Sequence, residues 1–143
     1  MSIQPLLDSI PFVAKTGVHC EDYAPGRVVL SLVPDQSNMN HAATFHAGAL
    51  FTLAETAGAA ACATHPMLST YQLLARGSNI RFRKGARGSV TAHCHVTTEM
   101  ARTVDWGVST TRKADLEVPV QILDGQGDTI AEFVAIYQFR RTT

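Results

Sequence analysis

Residues 40–64 read NHAATFHAGALFTLAETAGAAACAT. The second part, Ala47 to Thr64, holds eight alanines among eighteen residues, a composition that favours helix and leaves room for close backbone approach. The spacing predicts a helix over 47–64, about 27 Å long, with Pro66 after His65 as its stop. Thr52, Glu55 and Thr56 interrupt the apolar run, which therefore falls short of the ~20 strongly apolar residues of a membrane span. The segment reads as a buried helix.

Working outward, residues 35–46 (DQSNMNHAATFH) mix turn formers and polar groups without periodicity. They form a loop that delivers side chains to the helix entrance. Upstream, Val18 to Val33 is β-rich but broken at Tyr23-Ala24-Pro25-Gly26, giving two strand arms that end before Pro34. Ile3, Leu6, Leu7 and Ile10 recur at helical spacing, which predicts a short amphipathic helix over 2–10 with Ser2 as cap and Pro11 as stop.

Downstream the period changes. Ser78, Ile80 and Phe82 alternate with Asn79, Arg81 and Arg83, and Val90, Ala92, Cys94 and Val96 alternate with Thr91, His93, His95 and Thr97. These are half-buried antiparallel strands. Val118 to Leu123 and Thr129 to Phe139 read as a hairpin across Asp124-Gly125-Gln126-Gly127, and Pro119 places its first arm near an edge. Residues 100–114 fit either period.

The expected fold is α+β, with five or six antiparallel strands wrapped around one long central helix. Parallel crossovers would require several more helices. The 143 residues suit one domain over 1–143. Ile130, Val134 and Ile136 alternate with Ala131, Phe133, Ala135 and Tyr137, so both faces of the last strand are apolar. Such a strand calls for a partner subunit, giving a homodimer that can pair further into a tetramer.

Composition narrows the function. Hydrophobic residues make up 45% and charged ones 17%, which excludes a disordered chain. Twelve Lys plus Arg balance twelve Asp plus Glu, so no overall field draws in nucleic acid or an anionic membrane. Cys20, Cys62 and Cys94 are odd in number and far apart, as expected of core thiols in a reducing compartment. With no basic leader in residues 1–16, the expected location is the cytoplasm.

Within the helix, Glu55 is the sole charged group. A carboxylate among alanine, leucine and phenylalanine tends toward a raised pKa useful for general base work; the alternative is a solvent-facing position. The helix entrance offers free N–H groups at Ala47 and Gly48, fit to stabilise an oxyanion. Asn40 and His46 stand ready to orient the entry loop or to bond a substrate carbonyl. Glu55 lies about 12 Å along the axis from Ala47, too far for both to reach one carbonyl carbon. Two antiparallel copies of the helix, related by a two-fold axis, would bring them together.

Arg76, Arg81, Arg83, Lys84 and Arg87 fall within twelve positions that hold no acid, a candidate anion site for substrate phosphates. His93 and His95 share a strand face, yet no Asp, Glu or Cys joins them at ligand spacing, so no metal is expected. The sequence contains no HExxH, Walker A, GxGxxG or GxSxG motif.

Asn40, His46, Ala47, Gly48 and Glu55, nine positions after His46, resemble the motif of hotdog-fold thioesterases of the phenylacetic-acid-pathway type. Asn79-Ile80-Arg81-Phe82-Arg83-Lys84 resembles that family's strand after the helix. The resemblance implies hydrolysis of an acyl-coenzyme A thioester without a cofactor. Glu55 would act as general base or nucleophile, and the Ala47 N–H of the opposing subunit would polarise the carbonyl. Asn40, His46 and Gly48 would support that end, with Thr56, Arg81, Arg83 and Lys84 on the substrate. Ala47 replaces the family's first glycine, and Ser69, Thr70 or Gln72 are left to position water. The alternatives are a hydratase or dehydratase on an acyl thioester and a non-catalytic acyl-coenzyme A-binding dimer.

Overall fold

The computed structural model describes residues 2–142. The chain begins with two short helices, α1 (Gln4–Asp8) and α2 (Pro11–Thr16). The single helix expected over 2–10 is thus replaced by a pair. Pro11 does end the first helix, but it also opens the second, because the first turn of a helix needs no N–H from it. Ile3, Leu7 and Val13 anchor the pair in the core while Leu6 and Ile10 stay exposed.

Strands β1 (His19–Ala24) and β2 (Arg27–Leu32) form the expected hairpin. Gly26 turns it with a φ of 83°, and its missing side chain matters twice over: a Cβ there would meet His65 Cδ2 at 2.8 Å and the Val96 carbonyl at 2.9 Å. The central helix α3 runs over Ala47–Thr64, as the alanine spacing predicts. It is followed by β3 (Tyr71–Phe82), β4 (Val90–His95), α4 (Thr98–Thr111), β5 (Lys113–Leu123) and β6 (Thr129–Arg141).

The six strands make one antiparallel sheet in the order β1-β2-β4-β5-β6-β3. Its inner face wraps α3, burying Leu50, Leu53, Ala54, Ala57, Ala61 and Cys62 against β2, β4, β5 and β6. The alanines let the sheet come close to the helix axis, as their small volume requires. This is the α+β hotdog arrangement expected from the sequence.

Two further points correct the sequence reading. The segment that fits either period is α4, whose Ala101, Val104 and Val108 face the core. Its cap is Thr97, whose hydroxyl accepts the Met100 N–H at 3.2 Å while Met100 Sδ receives the Thr97 N–H at 3.5 Å. A methionine where glutamate usually closes the capping box hides that signal. Pro119, read as an edge residue, lies in an interior strand. Its neighbour β4 pairs with β5 only from Thr91↔Leu123 to His93↔Gln121, so the ladder has already ended where Pro119 lacks its N–H.

Val134 on β6 and Leu74 on β3 remain 37% and 44% exposed. No helix among the described residues is long and apolar enough to cross a membrane.

Candidate active site

The entrance of α3 is built by its loop. Asn40 Oδ1 accepts the N–H groups of Ala42 and Thr44 at 2.9 and 3.1 Å, and its Nδ2 donates to Thr44 Oγ1 at 2.8 Å. With these bonds Asn40 acts as the organiser of the loop, the first of its two expected roles. The loop delivers His46 to the N-cap of α3, where Nδ1 accepts the Gly48 N–H at 2.8 Å. With Nδ1 as the acceptor of that bond, Nε2 is the ring nitrogen left to donate, on an exposed side chain.

The cap removes one of the two expected oxyanion donors. Gly48 is engaged by His46, whereas the Ala47 N–H meets no acceptor among the described residues. A cavity of about 540 Å³ opens here, between α2 and the mouth of α3, with Phe12, Met39, His46, Gly48 and Thr52 on its walls.

Glu55 occupies a different place. It is half-buried beside a cavity of about 260 Å³ walled by Phe51, Ala75, Ser78, Phe133 and Tyr137. Phe51 and Phe133 meet edge to face, 5.5 Å between centroids, and keep one side apolar. The Tyr137 hydroxyl lies 3.3 Å from Glu55 Oε1 and 3.1 Å from the Glu55 carbonyl, sharing one proton between them. Burial raises the Glu55 pKa above the ordinary carboxylate range, and the Tyr137 donor opposes it by stabilising the charged form. Burial is the larger effect. Gly58 makes the contact possible, since a Cβ on it would stand 2.8 Å from the Tyr137 oxygen.

The acid and the helix mouth therefore face separate cavities within one protomer. Thr56, expected on the substrate, is buried and donates to the Thr52 carbonyl at 2.6 Å, away from both cavities. Of the residues left to position water, Ser69, Thr70 and Gln72, none reaches the Glu55 cavity. Ser78 does.

The basic strand is also corrected. Arg83 pairs with Glu132 at 2.7 Å, Lys84 with Asp128 and Asp124 at 2.8 and 3.3 Å, and Arg76 with Asp115 at 3.2 Å. These acids lie on β5, β6 and the turn between them, so a run without acids in sequence is neutralised across strands. Arg81 faces Glu132 in register, and Arg87 reaches the Ala43 carbonyl at 3.4 Å. Cys62 and Cys94 are buried core thiols, Cys94 pushed up to about 12 by burial, while Cys20 is half-exposed.

Tyr137, Gly58 and Ser78 are absent from the sequence-based candidates. Gly58 follows Glu55 by one helical step on the same face, a signal that was available. Tyr137 reads only as one of the apolar positions of the last strand.

The family described as a domain of unknown function, DUF4442, matches residues 4–137. The chain belongs to this family. Comparison with curated proteins finds no match. Among solved structures, the DUF4442 chain is similar to a protein of unknown function from Pseudomonas aeruginosa described as a probable thioesterase. The two share 29% identity over 99% of this chain and 97% of that one, with a TM-score of 0.88. It is also similar to the PaaI protein of the E. coli phenylacetic acid degradation operon, at 19% identity over 98% and 90% of the two chains and a TM-score of 0.72. A thioesterase from Haemophilus influenzae matches at 13% identity over 99% and 92%, with a TM-score of 0.76. The last two likenesses establish the hotdog fold of the DUF4442 chain.

Proposed function

We propose that the chain hydrolyses an acyl-coenzyme A thioester to the free acid and coenzyme A. The observation that carries this reading is the half-buried Glu55 carboxylate on the wall of an apolar cavity, its basicity raised by burial. The likeness to a probable thioesterase over nearly the whole chain supports it.

In this reading two copies of the chain pack with their α3 helices antiparallel, so that the mouth of one faces Glu55 of the other. Glu55 takes a proton from a water held against the Ser78 hydroxyl. The water oxygen bonds to the thioester carbon, and the carbonyl electrons move onto oxygen. The Ala47 N–H and the His46 Nε2–H of the opposing copy stabilise that oxyanion, His46 taking the place of the engaged Gly48 donor. The carbonyl re-forms as the C–S bond breaks, and the proton that Glu55 took from water passes to the departing coenzyme A sulfur, which restores the carboxylate. Direct attack by Glu55, through an anhydride, uses the same groups. Neither route calls for a metal or cofactor.

Exposed Val134 and Leu74 fit burial in a dimer or in a dimer of dimers. Three free cysteines fit a reducing cytoplasm.

Thiol release from a panel of acyl-coenzyme A substrates tests the reaction. Glu55→Gln is expected to lower kcat by about 10²-fold or more. Full turnover by Glu55→Gln overturns the assignment.

A further inference from the structure

A second basic cluster, dispersed in the sequence, assembles where the C-terminus of α4, the start of β5 and the end of β6 meet. Arg112, Lys113, Arg140 and Arg141 line a cavity of about 510 Å³ there, together with Ser109 and Thr111. They are four of the chain's twelve Lys and Arg. Unlike Arg76, Arg83 and Lys84, none of the four forms an ion pair among the described residues. Of the acids on the flanking elements, Asp105 is engaged by the Tyr71 hydroxyl, Asp115 by Arg76 and Gln138, and Glu132 by Arg83, while Glu99 and Glu117 pair with none of the four cations.

The backbone holds these cations together against their repulsion. Lys113 and Arg140 are direct cross-strand partners, an arrangement that destabilises an antiparallel pair when both carry the same charge. Arg112 closes α4 at φ 73°, a left-handed position where glycine is the usual occupant. The negative end of the α4 dipole accounts for Arg112 and Lys113 but not for Arg140 and Arg141, which arrive from β6. The Arg140 guanidinium is further fixed by donation from Nε to Gln138 Oε1 at 2.8 Å, leaving its terminal nitrogens for a ligand.

We propose that this cavity binds the phosphate groups of a small molecule carrying two or more of them. Three guanidinium forks and one ammonium on a common wall suit phosphate oxygens, and a polyanion relieves the Lys113–Arg140 repulsion. Under the acyl-coenzyme A reading, on which the choice of ligand rests, the guest is the nucleotide end of the substrate. A free nucleotide would bring the same chemistry.

Calorimetry on the full chain tests the site with adenosine 3′,5′-bisphosphate, ATP, inorganic pyrophosphate and adenosine. The three phosphorylated probes are expected to bind and adenosine is not. Arg112→Gln combined with Arg140→Gln should weaken binding about tenfold or more, as should added salt. Arg102→Gln, on the exposed side of α4, should leave it unchanged. Tighter binding of the bisphosphate supports coenzyme A as the guest, and tighter binding of ATP supports a free nucleotide. Failure of every phosphorylated probe on the wild-type protein, or equal affinity in the Arg112→Gln/Arg140→Gln variant, overturns the site. Thiol release by the same preparations separates the two readings. Phosphate binding without thiol release keeps the site and removes the hydrolase, whereas thiol release with an unchanged KM in the double variant removes coenzyme A from the site.

Discussion

The Tyr137 hydroxyl touches Glu55 at two points, 3.1 Å from its backbone carbonyl and 3.3 Å from Oε1. One phenol on the last strand thus fixes both where the acid stands and how readily it ionises.

Tyr137→Phe removes the hydroxyl and keeps the ring. Burial then acts on Glu55 without the opposing donor, so its pKa rises further. Because the base works ionised, the acidic limb of the kcat profile is expected to move to higher pH, with kcat recovered on the alkaline side. An unmoved limb would show that the contact does not tune the acid.

Glu55→Gln is expected to stabilise the protein at neutral pH. A carboxyl whose folded pKa is raised favours folding least once it must ionise. The cost is absent below the ordinary glutamate value of 4.5, grows as pH rises from there to the folded value and is constant above it. The Tm of the variant should therefore exceed the wild-type Tm at neutral pH, and the two should converge in acid. A constant difference across pH would contradict this.

Gly58→Ala sets two effects against each other. Alanine gains about 1 kcal/mol of helix propensity over glycine, while a Cβ 2.8 Å from the Tyr137 oxygen costs about 1–3 kcal/mol of overpacking. Net destabilisation is expected in the wild-type background. In a Tyr137→Phe background the clashing oxygen is gone, so the same substitution should be neutral or stabilising. A double-mutant cycle in urea reads that coupling.

Ala47→Pro deletes one donor and spares the helix. Proline is favoured at the first helical position, and His46 already holds the extended ψ of 142° that a following proline demands. Circular dichroism should be unchanged, while kcat falls about 10²–10³-fold if the N–H meets an oxyanion. Mixing inactive Ala47→Pro and inactive Glu55→Gln subunits should restore about one quarter of wild-type turnover, since a shared two-fold interface rebuilds one intact site in half of the dimers. No recovery would place both groups in the same protomer.

The sequence exposes what is local. The alanine run, the proline after His65 and the two-residue alternation suffice for α3 and for the sheet around it, and the nine-residue interval from His46 to Glu55 is what singles out the helix as the candidate site. What it hides depends on contacts across strands. The Arg83 and Lys84 cluster looks uncompensated because Glu132 and Asp128 lie more than forty positions away. Gly48 looks like a free donor because nothing in its type reveals that the preceding histidine turns back to cap it. Tyr137 counts as one more apolar residue until packing brings its hydroxyl to α3. Helix α4 escapes because its cap is closed by sulfur.

The three residue pairs that join β4 to β5 are the whole seam between two larger panels, β1-β2-β4 and β5-β6-β3. The panel with β6 and β3 carries the wall opposite Glu55, while β2 leads into the loop that ends at the mouth of α3. Stiffness is accordingly uneven. Amide protons along His93 and Gln121 are expected to exchange with deuterium sooner than those deep in the β5–β6 ladder, so slow breathing of the molecule should begin along this short join.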